Sequence, residues 1–208
     1  MRRAACLFSG GKDSVFSAFT AMSQGFEPLL LTVRGDEHSM MFHHPNVQWT
    51  ELQARAMGLE HEFVDAGKDE LLSLENAIRN SKAEAIFSGA IASDYQRQRI
   101  EQIGENLGIP TYSPLWHKEE ALMGEMLSYF EIYTVSVSAE GLGPELLGKP
   151  FSEIAKKERK IHPFLEGGEG ETFVAHAPFF SKRIIIDEWE KKWDGVRGVA
   201  IIRRAHLE

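Results

Sequence analysis

A chain of 208 residues, 43% hydrophobic and 26% charged, is an ordinary globular sequence, long enough for one domain or one domain with a small appendage. Its net charge of −8 speaks against a broad nucleic-acid footprint, and no apolar run approaches the ~20 residues of a membrane span. The single cysteine, Cys6, excludes an internal disulfide and cysteine-based zinc or iron–sulfur sites, the histidines show no metal-ligand spacing, and the short N-terminal apolar run makes a cytoplasmic location the expectation.

Taken in chain order, Ala4–Phe8 reads as a buried strand, with Cys6 as a packed small hydrophobe. It leads directly into Ser9-Gly10-Gly11-Lys12-Asp13-Ser14, and Val15–Phe19 can open a helix. Two adjacent glycines let the backbone turn tightly and approach a ligand. The first N–H groups of the helix then face the turn, where anions are favoured. Ser9 and Ser14 add hydroxyls and Lys12 adds a point charge, so the loop suits a pyrophosphate group. The commoner phosphate loop requires a glycine five residues before its second one; here that position is Cys6.

Leu29–Val33 reads as a strand, Pro45–Met57 as a helix and His61–Asp65 as a strand. Lys68–Arg79 reads as a helix, Glu84–Ser88 as a strand ending at Gly89, and Tyr95–Leu107 as a helix stopped by Gly108. This alternation predicts an α/β fold with a parallel sheet covered by helices on both faces. Ligands of such sheets sit at the carboxyl ends of the strands, where both Ser9–Gly11 and Ser88–Ala90 fall. After Pro114 the pattern changes: a helix over Glu119–Phe130, a strand over Ile132–Val137 and a helix over Phe151–Lys160. A glycine–acid loop, Glu166–Thr172, precedes antiparallel strands at Phe173–Pro178, Arg183–Asp187 and Arg197–Arg203. The change places a boundary near residues 115–120, with a smaller α+β part following.

Three further segments carry chemistry. Ser88–Glu101 combines a small-residue strand exit with Asp94, Tyr95, Arg97 and Arg99. Asp94 can cap the helix, and Arg97 with Glu101 can be a surface pair one turn apart. Tyr112-Ser113-Pro114-Leu115-Trp116 is a stiff aromatic turn, equally suited to a packed hinge. Glu166-Gly167-Gly168-Glu169-Gly170-Glu171-Thr172 reads either as a solvated loop or as an acidic rim whose carboxylates hold magnesium, ammonium or a cationic substrate.

The Ser9–Ser14 loop resembles the PP-loop of the ATP pyrophosphatases, which cleave ATP between the α- and β-phosphates. Together with Gly89–Glu101, Pro114–Trp116 and Gly168–Thr172, it makes the chain similar to the diphthine–ammonia ligase family, a branch of the N-type ATP pyrophosphatases. Met41-Phe42-His43 also resembles a family stretch. Gly170 stands where that family has an aromatic.

The resemblance implies an adenine nucleotide α-hydrolase (HUP-like) sheet in residues 1–117 and a substrate domain in 118–208. It implies an ATP-dependent, AMP-forming ligase that adenylates the carboxylate of diphthine on translation elongation factor 2 and amidates it with ammonia. Ser9, Gly10, Gly11, Lys12 and Ser14 are then expected at the pyrophosphate. Thr32 and Val33 are expected near adenine, and Ser88, Gly89 and Ala90 near the α-phosphate. Asp13 is expected to hold Mg²⁺ or to brace the loop. Asp94, Tyr95, Arg97, Glu169 and Glu171 are expected on the acceptor and ammonia side, with Tyr95, Trp116 and the acidic loop as contacts for the quaternary ammonium of diphthine. The alternatives are a PP-loop enzyme acting on another carboxylate or on transfer RNA, and an ATP-binding regulatory module without chemistry. The assembly state stays open, a homodimer included.

Overall fold

The structure is a computed structural model that describes residues 2–35, 45–91, 93–118, 124, 127–156, 162, 164–165 and 167–208. In chain order its elements are β1 (Arg2–Leu7), α1 (Lys12–Ser23), β2 (Phe26–Arg34), α2 (Thr50–Met57), β3 (Glu60–Asp65), α3 (Glu70–Ser81), β4 (Ala85–Phe87), α4 (Asp94–Leu107) and β5 (Thr111–Tyr112). These are followed by β6 (Glu131–Val137), β7 (Gly170–His176), β8 (Ile184–Trp193) and β9 (Gly198–Leu207). The chain forms two compact units: Met1–Ser9 with Asp13–His43 and Gly58–His117, and Gly10–Lys12 with His44–Met57 and Lys118–Glu208.

The first unit is built on a sheet of order β3-β2-β1-β4-β5 with every pair parallel. Successive strands β1, β2 and β3 run to one edge, and β4 and β5 run to the other. The order therefore reverses between β1 and β4, the kind of switch point where open α/β sheets bind ligands. The two crossovers run in opposite directions, so the right-handed rule puts α1 on the face opposite α4. Burial agrees. Ala5, Leu29, Leu31, Val33 and Ile86 form one core cluster with Leu74 and Ile78 of α3 and Ile100 and Ile103 of α4. The alternate strand residues Ala4, Cys6, Leu30 and Phe87 are also fully buried, as are Val15, Ala18 and Ala21 of α1. Tyr112 stacks on Phe87 at 4.8 Å, closing the β5 edge.

Cys6 lies between Leu30 and Phe87 in the ladder, and burial pushes its thiol up to about 12. The Tyr133 phenol is pushed to about 12 as well, chiefly by burial and then by its hydrogen bond to Glu131. Both are raised above their ordinary values of 9.0 and 10.0. Their stabilising contribution is complete below those values and is lost as pH rises toward 12. Native Cys6 is therefore expected to resist Ellman's reagent at neutral pH and to react on addition of denaturant. The urea midpoint is expected to fall steadily in alkali, with a shallower fall in Cys6→Ala.

The second unit is an antiparallel sheet of order β7-β6-β9-β8. The turn before α2 and the end of α2 join it through hydrogen bonds. The Asn46 amide donates to Ala200 O at 2.8 Å and accepts from Ile202 N at 2.7 Å, and Trp49 Nε1 donates to Ile202 O at 3.0 Å. Backbone N–H groups of Ser181 and Lys182 donate to Ala56 O at the end of α2.

Several sequence expectations need correction. The helix expected over Pro45–Met57 begins as a 3-10 turn, Val47–Trp49, after Asn46 in a left-handed conformation; regular helix starts at Thr50. Ser93, rather than Asp94, caps α4, its Oγ accepting from Gln96 N at 3.3 Å. The short strand β5 was not anticipated, and β8 continues to Trp193. The segment Gly170–Thr172, expected in a loop, is the start of β7, because β6 pairs Gly170 with Val137. Phe151–Lys156 is 3-10 helix, and the expected continuation over 157–160 lies outside the described residues, as does most of the helix expected over Glu119–Phe130. Met41–His43, Ala92 and Glu166 also lie outside them.

Candidate functional site

In the first unit Ser9 follows β1, Thr32 and Val33 lie in the last three residues of β2, and Ser88, Gly89 and Ala90 follow β4. Ser9 stands after β1, and its N–H and hydroxyl both donate to Ser14 Oγ at 3.3 Å, which folds the loop over the start of α1. Gly89 follows β4 through the buried Ser88 and precedes the buried Ala90. A Cβ built on Gly89 would lie 2.7 Å from Asp13 C and 2.8 Å from Ser14 N. The two distant glycine motifs thus meet backbone to backbone. Ser88 Oγ is 2.9 Å from Ser113 Oγ, which ties the strand exit to the turn before Trp116.

Thr32 and Val33 are buried at the end of β2. The Thr32 hydroxyl donates to Phe8 O at 2.7 Å, so His61 Nε2, 2.9 Å away, is the donor to Thr32 Oγ1. That hydroxyl proton is committed to the sheet.

At the start of α4, Arg97 Nε donates to Glu101 Oε1 at 2.6 Å, and its guanidinium stands 4.6 Å from the Trp116 ring centroid. The Arg99 guanidinium stands 3.4 Å from the Tyr95 centroid. The surface pair expected at 97 and 101 is therefore present. The rings expected to meet a quaternary ammonium each carry an arginine of the same helix. Asp94 is the first residue of α4 and is exposed.

The second unit holds the middle of the loop. Gly10, at φ +81°, accepts at its carbonyl from Val174 N at 3.1 Å and from Gln53 Nε2 at 2.8 Å. Gln53 Nε2 also donates to Val174 O at 2.8 Å. The Lys12 N–H donates to Thr172 Oγ1 at 3.1 Å. This is one of the first donors of α1, a group expected to be offered to an anion, and Thr172 takes it instead. Lys12 is buried, and its Nζ lies 5.9 Å from the Phe151 ring centroid. Gly11 lies between these two held residues.

Glu169 Oε2 accepts from His162 N at 2.6 Å, and its backbone oxygen accepts from Ser138 N at 2.8 Å. Glu171 pairs with Ser136 across the β6–β7 ladder, and both carboxylate residues are half-buried. A Cβ on Gly170 would lie 2.5 Å from Ser136 O and 2.8 Å from Leu165 Cδ1, so this backbone accepts no side chain there without moving.

The structure therefore groups Ser9, Asp13, Ser14, Ser88, Gly89 and Ala90 in one unit. In the other it groups Gly10, Gly11 and Lys12 with Gln53, Phe151, Thr172 and Val174. Gln53 was not anticipated; the one signal for it is a polar residue amid Leu52, Ala54, Ala56 and Met57. Among the described residues there is no cluster of three His, Cys, Asp or Glu able to hold a metal, and no helix is long and apolar enough to cross a membrane.

Comparison with known proteins finds matches over nearly the whole sequence. Residues 1–111 match the family model described as diphthamide synthase N-terminal domain, and residues 118–207 match diphthamide synthase C-terminal domain. The diphthine–ammonia ligase of Danio rerio is 32% identical over 219 residues, covering 88% of this chain and 86% of that protein. The Bos taurus enzyme is 32% identical over 247 aligned positions, covering 99% and 92%, and the Homo sapiens enzyme is 30% identical with the same coverage. A solved structure described as a predicted subunit of tRNA methyltransferase from Methanocaldococcus jannaschii aligns with TM-score 0.47 at 20% identity, over 86% of this chain and 98% of that one. Two family models spanning nearly all of the sequence, and relatives aligned over 86% and 92% of their own length, place the chain in the diphthamide synthase (diphthine–ammonia ligase) family.

Proposed function

We propose that this chain amidates the carboxylate of diphthine on translation elongation factor 2, using ATP and ammonia. The observation that carries the nucleotide part is the contact of Gly89 with Asp13 and Ser14, which pairs the two glycine exits at the β1/β4 switch point. In this reading residues 1–117 form the nucleotide domain and 118–208 the acceptor domain. The acceptor carboxylate attacks the α-phosphorus of ATP, the bond to the bridging oxygen breaks, and pyrophosphate leaves. Ammonia then attacks the acyl-adenylate carbonyl; AMP leaves, and a proton is lost from nitrogen.

Lys12 neutralises charge developing on the leaving pyrophosphate, and the Ser9, Gly10, Gly11 and Ser14 groups orient it. Ser88, Gly89 and Ala90 border the α-phosphate, and the backbone at Thr32 and Val33 borders adenine. A single carboxylate at the loop, Asp13, fits Mg²⁺ held mainly through phosphate oxygens rather than by a protein cage. When bound there, the ion would neutralise phosphate charge. Asp94, Tyr95, Arg97, Glu169 and Glu171 serve the acceptor and ammonia. Because Arg97 and Arg99 already cover Trp116 and Tyr95, the carboxylates are the stronger choice for a cationic acceptor.

The test is product analysis with ATP, Mg²⁺ and ammonium, with and without diphthine-bearing elongation factor 2. Acceptor-dependent AMP and pyrophosphate, with amide on the acceptor, is the expected result. AMP that ignores this acceptor, or no AMP at all, would overturn the assignment. In Glu169→Gln the amide oxygen can still accept from His162 N, so the charge is removed and the loop contact kept. Glu169→Gln and Glu171→Gln are each expected to raise the acceptor KM about tenfold, ~1.4 kcal/mol, and to leave the KM for ATP unchanged. Unchanged acceptor kinetics would make the acidic segment structural.

A further inference from the structure

We infer that Gln53 and Thr172 are positioning residues of the phosphate loop: they hold Gly10–Lys12 in its anion-binding shape through Gly10 O and the Lys12 N–H. This rests on the loop being the pyrophosphate site, and it assigns the loop's geometry to residues far from it in sequence.

The Gln53 amide closes a three-membered ring of hydrogen bonds. Val174 N donates to Gly10 O, and Gln53 Nε2 donates to both Gly10 O and Val174 O. An Nε2 group has two protons, and two carbonyl oxygens at 2.8 Å take both. The amide orientation is thereby fixed, since a flipped amide would set its oxygen against two acceptors. Gln53 is fully buried, and its Oε1 has no hydrogen-bond donor among the described residues. That oxygen fills the space beside Gly10, where a Cβ would lie 2.2 Å from it. A long polar side chain buried with half its amide unsatisfied is a costly way to fill a core. An apolar residue would fill that volume without the penalty, but could not hold Gly10 O. The direction of that carbonyl fixes its own peptide plane, and with it where the Gly11 N–H points.

Thr172 acts at the other end. Its Oγ1 accepts the Lys12 N–H, so the first turn of α1 starts from a fixed peptide plane. Thr172 and Val174 are two apart on β7 and share a face. One side chain and one backbone unit of β7, with one helix side chain, thus grip both ends of the three-residue segment.

The first readout does not depend on activity. Amide hydrogen exchange at Gly11 and Lys12 in ligand-free protein is expected to speed up at least about tenfold in Gln53→Met and in Thr172→Val, with exchange in β1, β2 and β4 unchanged. Thr172→Ser, which keeps the acceptor, is expected to restore slow exchange. The second readout is the ratio of affinities for a non-hydrolysable ATP analogue and for AMP. Both variants are expected to lose at least about tenfold for the analogue and little for AMP, because only the former uses the loop. A merely structural role would lower the melting temperature and leave that ratio unchanged. Loop exchange equal to wild type in a folded variant would overturn the inference. If Gln53→Met fails to fold, the Thr172→Val and Thr172→Ser pair decides alone. Faster loop exchange in a protein that makes no AMP would sink the ligase reading and leave this one standing.

Discussion

Gly89→Ala will reduce AMP formation at least about 100-fold, the scale expected when reacting groups are displaced by about an ångström. The added methyl would lie 2.7, 2.8 and 2.9 Å from Asp13 C, Ser14 N and Asp13 O. These are backbone atoms at the start of α1, with no flexible side chain to swing away. The strand exit must retreat or the loop must shift, and either one moves groups assigned to the phosphates. β4 is short and fully buried, so retreat also disturbs its ladder with β1 at Ala85, Ile86 and Phe87. The stability cost should be about 1–3 kcal/mol, as for other overpacked positions. Steady-state AMP release beside a melting curve separates the two effects. Near-normal turnover in Gly89→Ala would remove the α-phosphate from this place.

Lys12→Ala will lower AMP formation by about 10²–10³-fold, the range seen when one preorganised group that stabilises transition-state charge is removed. Lys12 is 3% exposed, so its ammonium has little water around it and a correspondingly strong local field. Its Nζ lies 5.9 Å from the Phe151 ring centroid. Lys12→Arg keeps charge but not shape and should recover only part of the rate. Pre-steady-state measurement of pyrophosphate release is the direct check, and an unchanged rate in Lys12→Ala would refute the loop assignment.

The first unit was legible because its signals are local. Apolar runs such as Leu29–Val33 and Ala85–Phe87 need only their own composition to read as buried strands, and Gly108 marks the end of α4 by its left-handed conformation. The Ser9–Ser14 loop was legible for the same reason. What stayed hidden depends on distant partners. Gln53 sits where a helix normally shows a polar side chain to water; it is buried by Gly10, 43 residues away, and Val174, 121 residues away. Thr172 was visible inside the acidic motif, but its partner Lys12 lies 160 residues off. Gly170-Glu171-Thr172 reads as loop by propensity and becomes strand because β6 supplies a ladder. Ser93 outcompeted Asp94 as the cap by one position, within the usual uncertainty of helix ends.

The grip on Gly10 and Lys12 also bears on how such enzymes can be recombined. A chimera joined near residue 117 would take its loop and Gln53 from one parent, and Thr172 and Val174 from the other. The loop would inherit mismatched holders whenever the parents differ at 53 or 172. Compatible parents can be chosen by matching the helix residue at 53 and the hydroxyl residue at 172, because Val174 acts through its backbone. The phosphate loop is thus written in three separate stretches of the sequence, and they must be exchanged as a set.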